Sequence, residues 1–214
     1  MTKSDFRAHC LKRLKYSHTH SKRSRDAKVN AFLKHVLKQI GGKRILAYWP
    51  MGFESDIRKT IAGCRGGSEV FLPFMDGVSF KMVPLRYPLE RKAFGIYEPR
   101  DSRKKINLID IAIVPVVGVD GSLCRIGFGK GMYDRFFPTL KAKPFTIFIQ
   151  SCECQTKENL CDDYDVQGDL LITPRGVQSL EDFHVKRTTR RGQYRHPRRS
   201  SRIFNFKKNY RRPF

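Results

Sequence analysis

Apolar positions along the chain fall first at helical spacing. In "VNAFLKHVLKQIGG" Val29, Phe32, Leu33, Val36, Leu37 and Ile40 recur every three or four residues, on one face of a helix that Gly41 and Gly42 end. A shorter helix is predicted over Ser4 to Lys15, with Asp5 in its first turn, where a carboxylate suits the helix dipole. Between the two, "YSHTHSKRSRD" reads as a polar connection.

Beyond Gly42 the pattern changes to short apolar runs. "RILAYWP" (44–50) is a buried strand closed by proline, and "EVFLPFMDGVSFKMVPL" is a hairpin turning at Asp76-Gly77. "LIDIAIVPVVGVD" (108–120) is the most continuous apolar run and predicts a central parallel strand buried on both faces. "PFTIFIQ" (144–150) and "DLLITP" (169–174) are further strands. Strands alternating with helical segments predict an α/β fold, a three-layer Rossmann-like domain with a mainly parallel sheet. After Pro174 the pattern decays, which sets the domain at residues 1–180 and leaves 181–214 as a basic tail, expected to be disordered.

Charge sharpens this division. The net charge is +23, and residues 183 to 214 hold twelve Lys or Arg and no acid, about half of the excess. A chain this basic is expected to meet an anion: nucleotide phosphates, a polyglutamate or nucleic acid. No run of eighteen apolar residues predicts a membrane span, and the first residues have no apolar core of the signal-peptide kind, so the expected location is cytoplasmic. The six cysteines form no CxxC pair; in that compartment they read as free thiols, and Cys152, Cys154 and Cys161 match no zinc spacing.

The chemistry concentrates in "CRIGFGKGMYDRFF" (124–137), after the strongest strand. Gly127, Gly129 and Gly131 remove side chains at alternate positions, so backbone N–H groups can approach anionic oxygens, and Arg125 and Lys130 add two cations. The spacing is neither GxGxxG nor a Walker A loop, and a flexible turn beside a strand has the same composition. Asp134, just after this cradle, is placed to hold Mg²⁺, which takes oxygen ligands and bridges phosphates; a carboxylate suiting the helix dipole is the plainer reading.

The stretch "RIGFGKGMYDRF" resembles the signature of the 5-formyltetrahydrofolate cyclo-ligase (methenyltetrahydrofolate synthetase) family: R-L-G-x-G-x-G, then Tyr or Phe, then Y-D. Arg125, Gly127, Gly129, Gly131, Tyr133 and Asp134 match it, Ile126 replaces Leu, and Met132 stands where an aromatic is usual. Lys3 and Arg7 hold the spacing of the family's opening K-x-x-x-R. "YWPMGFESDI" supplies Tyr48, Pro50, Glu54 and Asp56, followed by Leu72-Pro73, the box Gly95, Ile96, Glu98, Pro99, and a strand ending in Pro115. Asp120, five residues before Arg125, and the ending Asp165, Val166, Asp169, Ile172, Thr173 also fit. Leu123 replaces a family glycine, and the tail lies outside the pattern.

The resemblance implies an enzyme, an ATP-dependent ligase that closes the formyl group of 5-formyltetrahydrofolate onto N10 with release of ADP and phosphate. By the same resemblance, ATP is bound by Lys3, Arg7 and the loop Arg125, Ile126, Gly127, Phe128, Gly129, Lys130, Gly131, Met132 and Tyr133. Asp134 and Asp165 hold Mg²⁺, and Trp49 and Glu54 contact the folate. Trp49 also fits a core aromatic at a strand end, and Lys3 and Arg7 a solvated helix face. A different class of function competes: a nucleic-acid-binding protein built on a cyclo-ligase-like domain. In the tail Phe183, Tyr194, Phe204, Phe206, Tyr210 and Phe214 interleave with the cations, the composition for non-specific RNA contact by phosphate attraction and stacking.

Overall fold

The computed structural model describes residues 1–18, 21–92, 95–102 and 106–183. The basic tail beyond Phe183, and the expectation of disorder there, lies outside the described residues. Two helices open the chain, α1 (Lys3–His18) and α2 (Lys22–Ile40). Then come β1 (Arg44–Leu46), α3 (Arg58–Cys64), and the hairpin β2 (Glu69–Asp76) and β3 (Ser79–Pro84). Two short ribbons follow, β4 (Glu90–Arg91) with β5 (Tyr97–Glu98), and β7 (Gly118–Val119) with β8 (Arg125–Ile126), separated by β6 (Ile111–Pro115). The chain continues through α4 (Met132–Phe136), β9 (Phe145–Ile149), β10 (Leu170–Thr173) and β11 (Gly176–Ser179).

Seven strands form one sheet in the order β11-β10-β9-β6-β1-β2-β3. The five inner strands are parallel, and β3 and β11 close the edges antiparallel. Strand alternation sorts the core into two faces. Ile45, Val70, Leu72, Ile111, Ile113, Ile147, Ile149, Leu170 and Ile172 face Val29, Phe32, Leu33 and Val36 of α2 and Ile61 of α3. Leu46, Phe71, Ala112, Val114, Phe148 and Leu171 point the other way, toward Phe136 of α4. This is the expected three-layer α/β arrangement, and every residue of β6 is buried, as its continuous apolar run predicts.

Three expectations are corrected. The second helix begins at Lys22, so "KRSRD" is helical rather than connecting; Lys22 and Asp26 pair at 2.7 Å, one turn apart. A strand, β11, follows Pro174, half-buried along its length and so without the alternation that marks a strand in sequence. Cys10 is not a free thiol but is disulfide-bonded to Cys154, 144 residues away, with a Cα–Cα distance of 5.6 Å. Spacing along the chain cannot show such a pair. With Phe6 and Leu14, Cys10 forms the buried face of α1, and Leu11 packs beside it half-buried. Among the described residues, no helix is long and apolar enough to cross a membrane.

From β1 the chain moves outward to β2, then returns to β6 on the other side of β1. The order therefore reverses between β1 and β6, and in open α/β sheets ligands bind outside the carboxyl ends of strands at such a point. Here those ends lead into the segments 47–57 and 116–135.

Candidate active site

Helix α1 delivers two cations to the glycine-rich loop. A capping box starts it: the Asp5 N–H donates to the Thr2 hydroxyl, and the Thr2 N–H donates back to the Asp5 carboxylate. Lys3 and Arg7, one turn apart, then point the same way. Lys3 Nζ donates to Asp165 Oδ2 at 2.5 Å and lies 3.8 Å from Asp162. Burial pulls the Lys3 ammonium down, but the Asp165 carboxylate more than offsets this and lifts it above the ordinary lysine value. Arg7 Nε donates to the Gly127 carbonyl at 3.0 Å. The solvated-face reading of these two residues does not hold.

Arg125 is the centre of the loop. It is only 6% exposed, its guanidinium lies 4.8 Å from the centre of the Tyr133 ring, and Nη1 is 3.5 Å from Asp134 Oδ2. Its Nε is buried and finds no hydrogen-bond acceptor among the described residues. The glycines divide the work that the sequence assigned to all three. At Gly127 a Cβ would sit 2.4 Å from the Arg125 guanidinium, so this position makes room for Arg125. Gly129 and Gly131 have φ of +93° and +58°, in the left-handed region where a side chain is strained.

The other loop residues contribute unequally. Ile126 is fully buried against Phe6, Cys10, Val117 and Cys154, so only its backbone faces the loop. Phe128 packs its ring 5.1 Å from Phe53 of the opposite strand end. Lys130 is exposed. Met132 and Tyr133 pack on the α4 side of the sheet, and burial raises the Tyr133 hydroxyl above the usual phenol value.

Leu123 occupies the left-handed region, φ +53°, yet is fully buried. Two effects oppose each other there. Left-handed strain costs about 1–2 kcal/mol, whereas emptying a buried leucine site costs about 2–5 kcal/mol. Burial wins, so Leu123→Gly lowers stability by about 2 kcal/mol on these two ranges, read as a lower urea midpoint. A raised midpoint would show that strain dominates.

Asp134 and Asp165 are brought together through Val166. The Val166 N–H donates to Asp134 Oδ1 at 3.2 Å, and its carbonyl accepts from the Arg125 N–H at 2.8 Å. Asp165 Oδ2 accepts from the Asp162 N–H at 2.7 Å as well as from Lys3. Among the described residues no group of three or more His, Cys, Asp or Glu could hold a metal. Asp134 Oδ2 lies 3.5 Å from Arg125 Nη1, whereas Asp165 Oδ2 is held by Lys3.

On the β1 side, Glu54 is 7% exposed and accepts the Met51 N–H at 2.9 Å. Burial pushes its carboxyl up to about 7, against the pull of the Met51 N–H and of Arg125 and Lys22. Glu54 and Arg125 thus sense each other across the switch point. Trp49 leaves the same strand end but turns toward α3: it meets Tyr87 edge-on at 6.2 Å and Arg58 at 5.8 Å, and packs on the α2–α3 core. Lys22 was not foreseen here; it donates to the Glu54 carbonyl at 2.8 Å. A cavity of about 510 Å³, lined by Lys34, Gly42, Cys64 and Ile111, opens at the amino ends of β1 and β6, away from all these groups. Charge and strand polarity favour the carboxyl ends.

This arrangement matches known proteins over most of its length. The model of the 5-formyltetrahydrofolate cyclo-ligase family matches residues 1–174. The 5-formyltetrahydrofolate cyclo-ligase of Haemophilus influenzae is 28% identical over 149 residues, 64% of this chain and 80% of that protein. That of Mycoplasma pneumoniae is 41% identical over 66 residues, 31% of this chain and 40% of that protein. The NMR structure of Aquifex aeolicus 5,10-methenyltetrahydrofolate synthetase superposes with a TM-score of 0.70 at 27% identity, covering 94% of this chain and 100% of that one.

Proposed function

The chain belongs to the 5-formyltetrahydrofolate cyclo-ligase family, and from that premise we propose that it converts 5-formyltetrahydrofolate and ATP to 5,10-methenyltetrahydrofolate, ADP and phosphate. The formyl oxygen attacks the γ-phosphorus, forming an O–P bond as ADP leaves. N10 then adds to the formyl carbon, the C–O bond to phosphate breaks, and N10 gives up its proton. Such a reaction needs mainly positioning and charge stabilisation of the moving phosphoryl group.

Arg125 carries the reading: a buried guanidinium 3.5 Å from the Asp134 carboxylate, its charge also felt by Glu54 and its Nε unanswered among the described residues, beside a glycine loop that Arg7 holds. In this proposal Lys3, Arg7 and Arg125 face the phosphates, with the loop backbone from Ile126 to Tyr133 around them. Mg²⁺, when bound, would neutralise phosphate charge; Asp134 would hold it, with Asp165 keeping Lys3 in place or adding a ligand through water. Glu54 would accept hydrogen bonds from the pterin N–H groups, and Trp49 would wall the ring. A cytoplasmic location goes with this reading. The test is the purified chain with 5-formyltetrahydrofolate and Mg·ATP, watched for methenyl absorbance. No turnover above background from folded protein overturns it.

The tail's composition favours a second activity beside the first, non-specific RNA contact. Twelve cations and six aromatic rings in residues 183–214, with no acid among them, suit phosphate attraction and base stacking. Residues 1–183 alone are expected to keep the ligase rate and melting temperature, and to lose most RNA binding in a filter assay. Binding by the full chain weakens with salt, with a log–log slope near −0.7 per phosphate contact, an order-of-magnitude value. RNA affinity that survives both truncation and high salt would assign it to the folded domain instead.

A further inference from the structure

Asp120 follows β7 directly and is 1% exposed. Its buried charge is answered by four backbone N–H groups, two on each oxygen. Oδ1 accepts from Ser122 and Cys124, both at 2.9 Å, and Oδ2 accepts from Leu160 at 3.1 Å and Cys161 at 3.0 Å. Each oxygen therefore serves a different stretch of chain. The first stretch leads directly into Arg125, and the second runs on to Asp165.

We propose that Asp120 is a positioning residue for phosphate handling, its carboxylate fixing the segment that carries Arg125 against the segment that carries Asp165 and, through it, Lys3. The surrounding backbone follows the same join. The Gly121 N–H donates to the Glu158 carbonyl, the Gly168 N–H to the Leu123 carbonyl, and the Arg125 N–H to the Val166 carbonyl. A Cβ at Gly121 would sit 2.2 Å from the Lys157 carbonyl oxygen, so the two segments touch without room for a side chain. Hydrogen bonds to a charged carboxylate are stronger than neutral ones and set geometry. An amide cannot replace it: Asn offers one oxygen, and its NH₂ would face two N–H donors. Asp120→Asn thus releases one segment while the strands stay paired.

The inference rests on the reading that Arg125, Lys3 and their partners serve ATP, and its test separates the two. In Asp120→Asn, the Kd for a non-hydrolysable ATP analogue and the KM for ATP rise by roughly tenfold to a hundredfold, the scale of a misplaced binding group. The KM for 5-formyltetrahydrofolate stays within about twofold, because Glu54 and Trp49 lie on the β1 side. A general loss of folding would move both substrates together. Combined with Lys3→Met, the two effects on ATP affinity fall short of their product, because both act through Asp165. Equal changes for both substrates, no change for either, or effects that multiply overturn the role of Asp120. A wild-type chain that binds the analogue but never forms methenyl product overturns the proposed reaction and leaves the binding test standing. If Asp120→Asn does not fold, amide exchange in the wild-type chain decides. The amides of Ser122, Cys124, Leu160 and Cys161 slow together when the analogue binds, and unchanged exchange overturns the inference.

Discussion

Asp134→Asn lowers kcat by about a hundredfold or more with the fold intact, the loss expected for one charge-stabilising contact in phosphoryl transfer. The amide oxygen can still accept the Val166 N–H that Oδ1 accepts now, so the junction between the two segments survives. What disappears is the negative charge 3.5 Å from Arg125 Nη1. Two consequences follow. Arg125 is left as a buried cation without its counter-charge, and the oxygen proposed for Mg²⁺ is replaced by an amide NH₂, which cannot ligate the ion. Steady-state kcat at saturating ATP, a magnesium titration and a melting curve measure these separately. A wild-type kcat at saturating Mg²⁺ moves the metal to Asp165. An unchanged magnesium requirement with a collapsed melting temperature makes Asp134 a structural counter-ion of Arg125.

The strands and the large helix were legible because each depends on nearby residues: short continuous apolar runs in β9 and β10, buried throughout or nearly so, and three-and-four spacing in α2. The cradle loop was legible because three glycines, two cations and an acid crowd into ten residues. Long-range polar contacts were not. Nothing in "KRSRD" announces a helical turn whose Lys22 holds the Glu54 carbonyl and whose Asp26 carbonyl, with that of Asp56, accepts from the Asn30 amide. The cysteine count could not match Cys10 to Cys154, because the pairing depends on where α1 docks. The roles of the glycines were legible only as a group: Gly127 yields space to a side chain two residues away, while Gly129 and Gly131 supply backbone angles. Trp49 was foreseen as a wall for the ring, and its described contacts are with Tyr87, Arg58 and the core. The sequence alone does not show which side of a strand end a ring takes.

Glu54→Gln makes the protein more stable at alkaline pH and a poorer enzyme, and the reason is the same burial. The folded carboxyl titrates at about 7, against 4.5 as its ordinary value. Below 4.5 both folded and unfolded chains hold the proton and the residue is neutral in the balance. Between 4.5 and 7 the unfolded chain releases its proton while the folded chain keeps it, so stability falls as pH rises through that window. Above it the full penalty applies, about 3 kcal/mol at 1.36 kcal/mol per pKa unit. Glutamine has no proton to lose and keeps an oxygen for the Met51 N–H, so its melting temperature exceeds wild type at pH 8 to 9 and converges with it near pH 4. Activity goes the other way. If the ionised carboxylate accepts the pterin N–H groups, wild-type kcat/KM for the folate rises with pH through about 7. The variant loses this limb and lies at least tenfold below wild type at pH 8, an order-of-magnitude figure for an unmatched polar contact. Melting curves at pH 4, 6 and 8.5 and a pH–rate profile for each protein test both halves. A variant with wild-type kcat/KM at pH 8 removes Glu54 from the folate site, and equal melting temperatures at pH 8.5 mean that the carboxylate is not paying a burial penalty there.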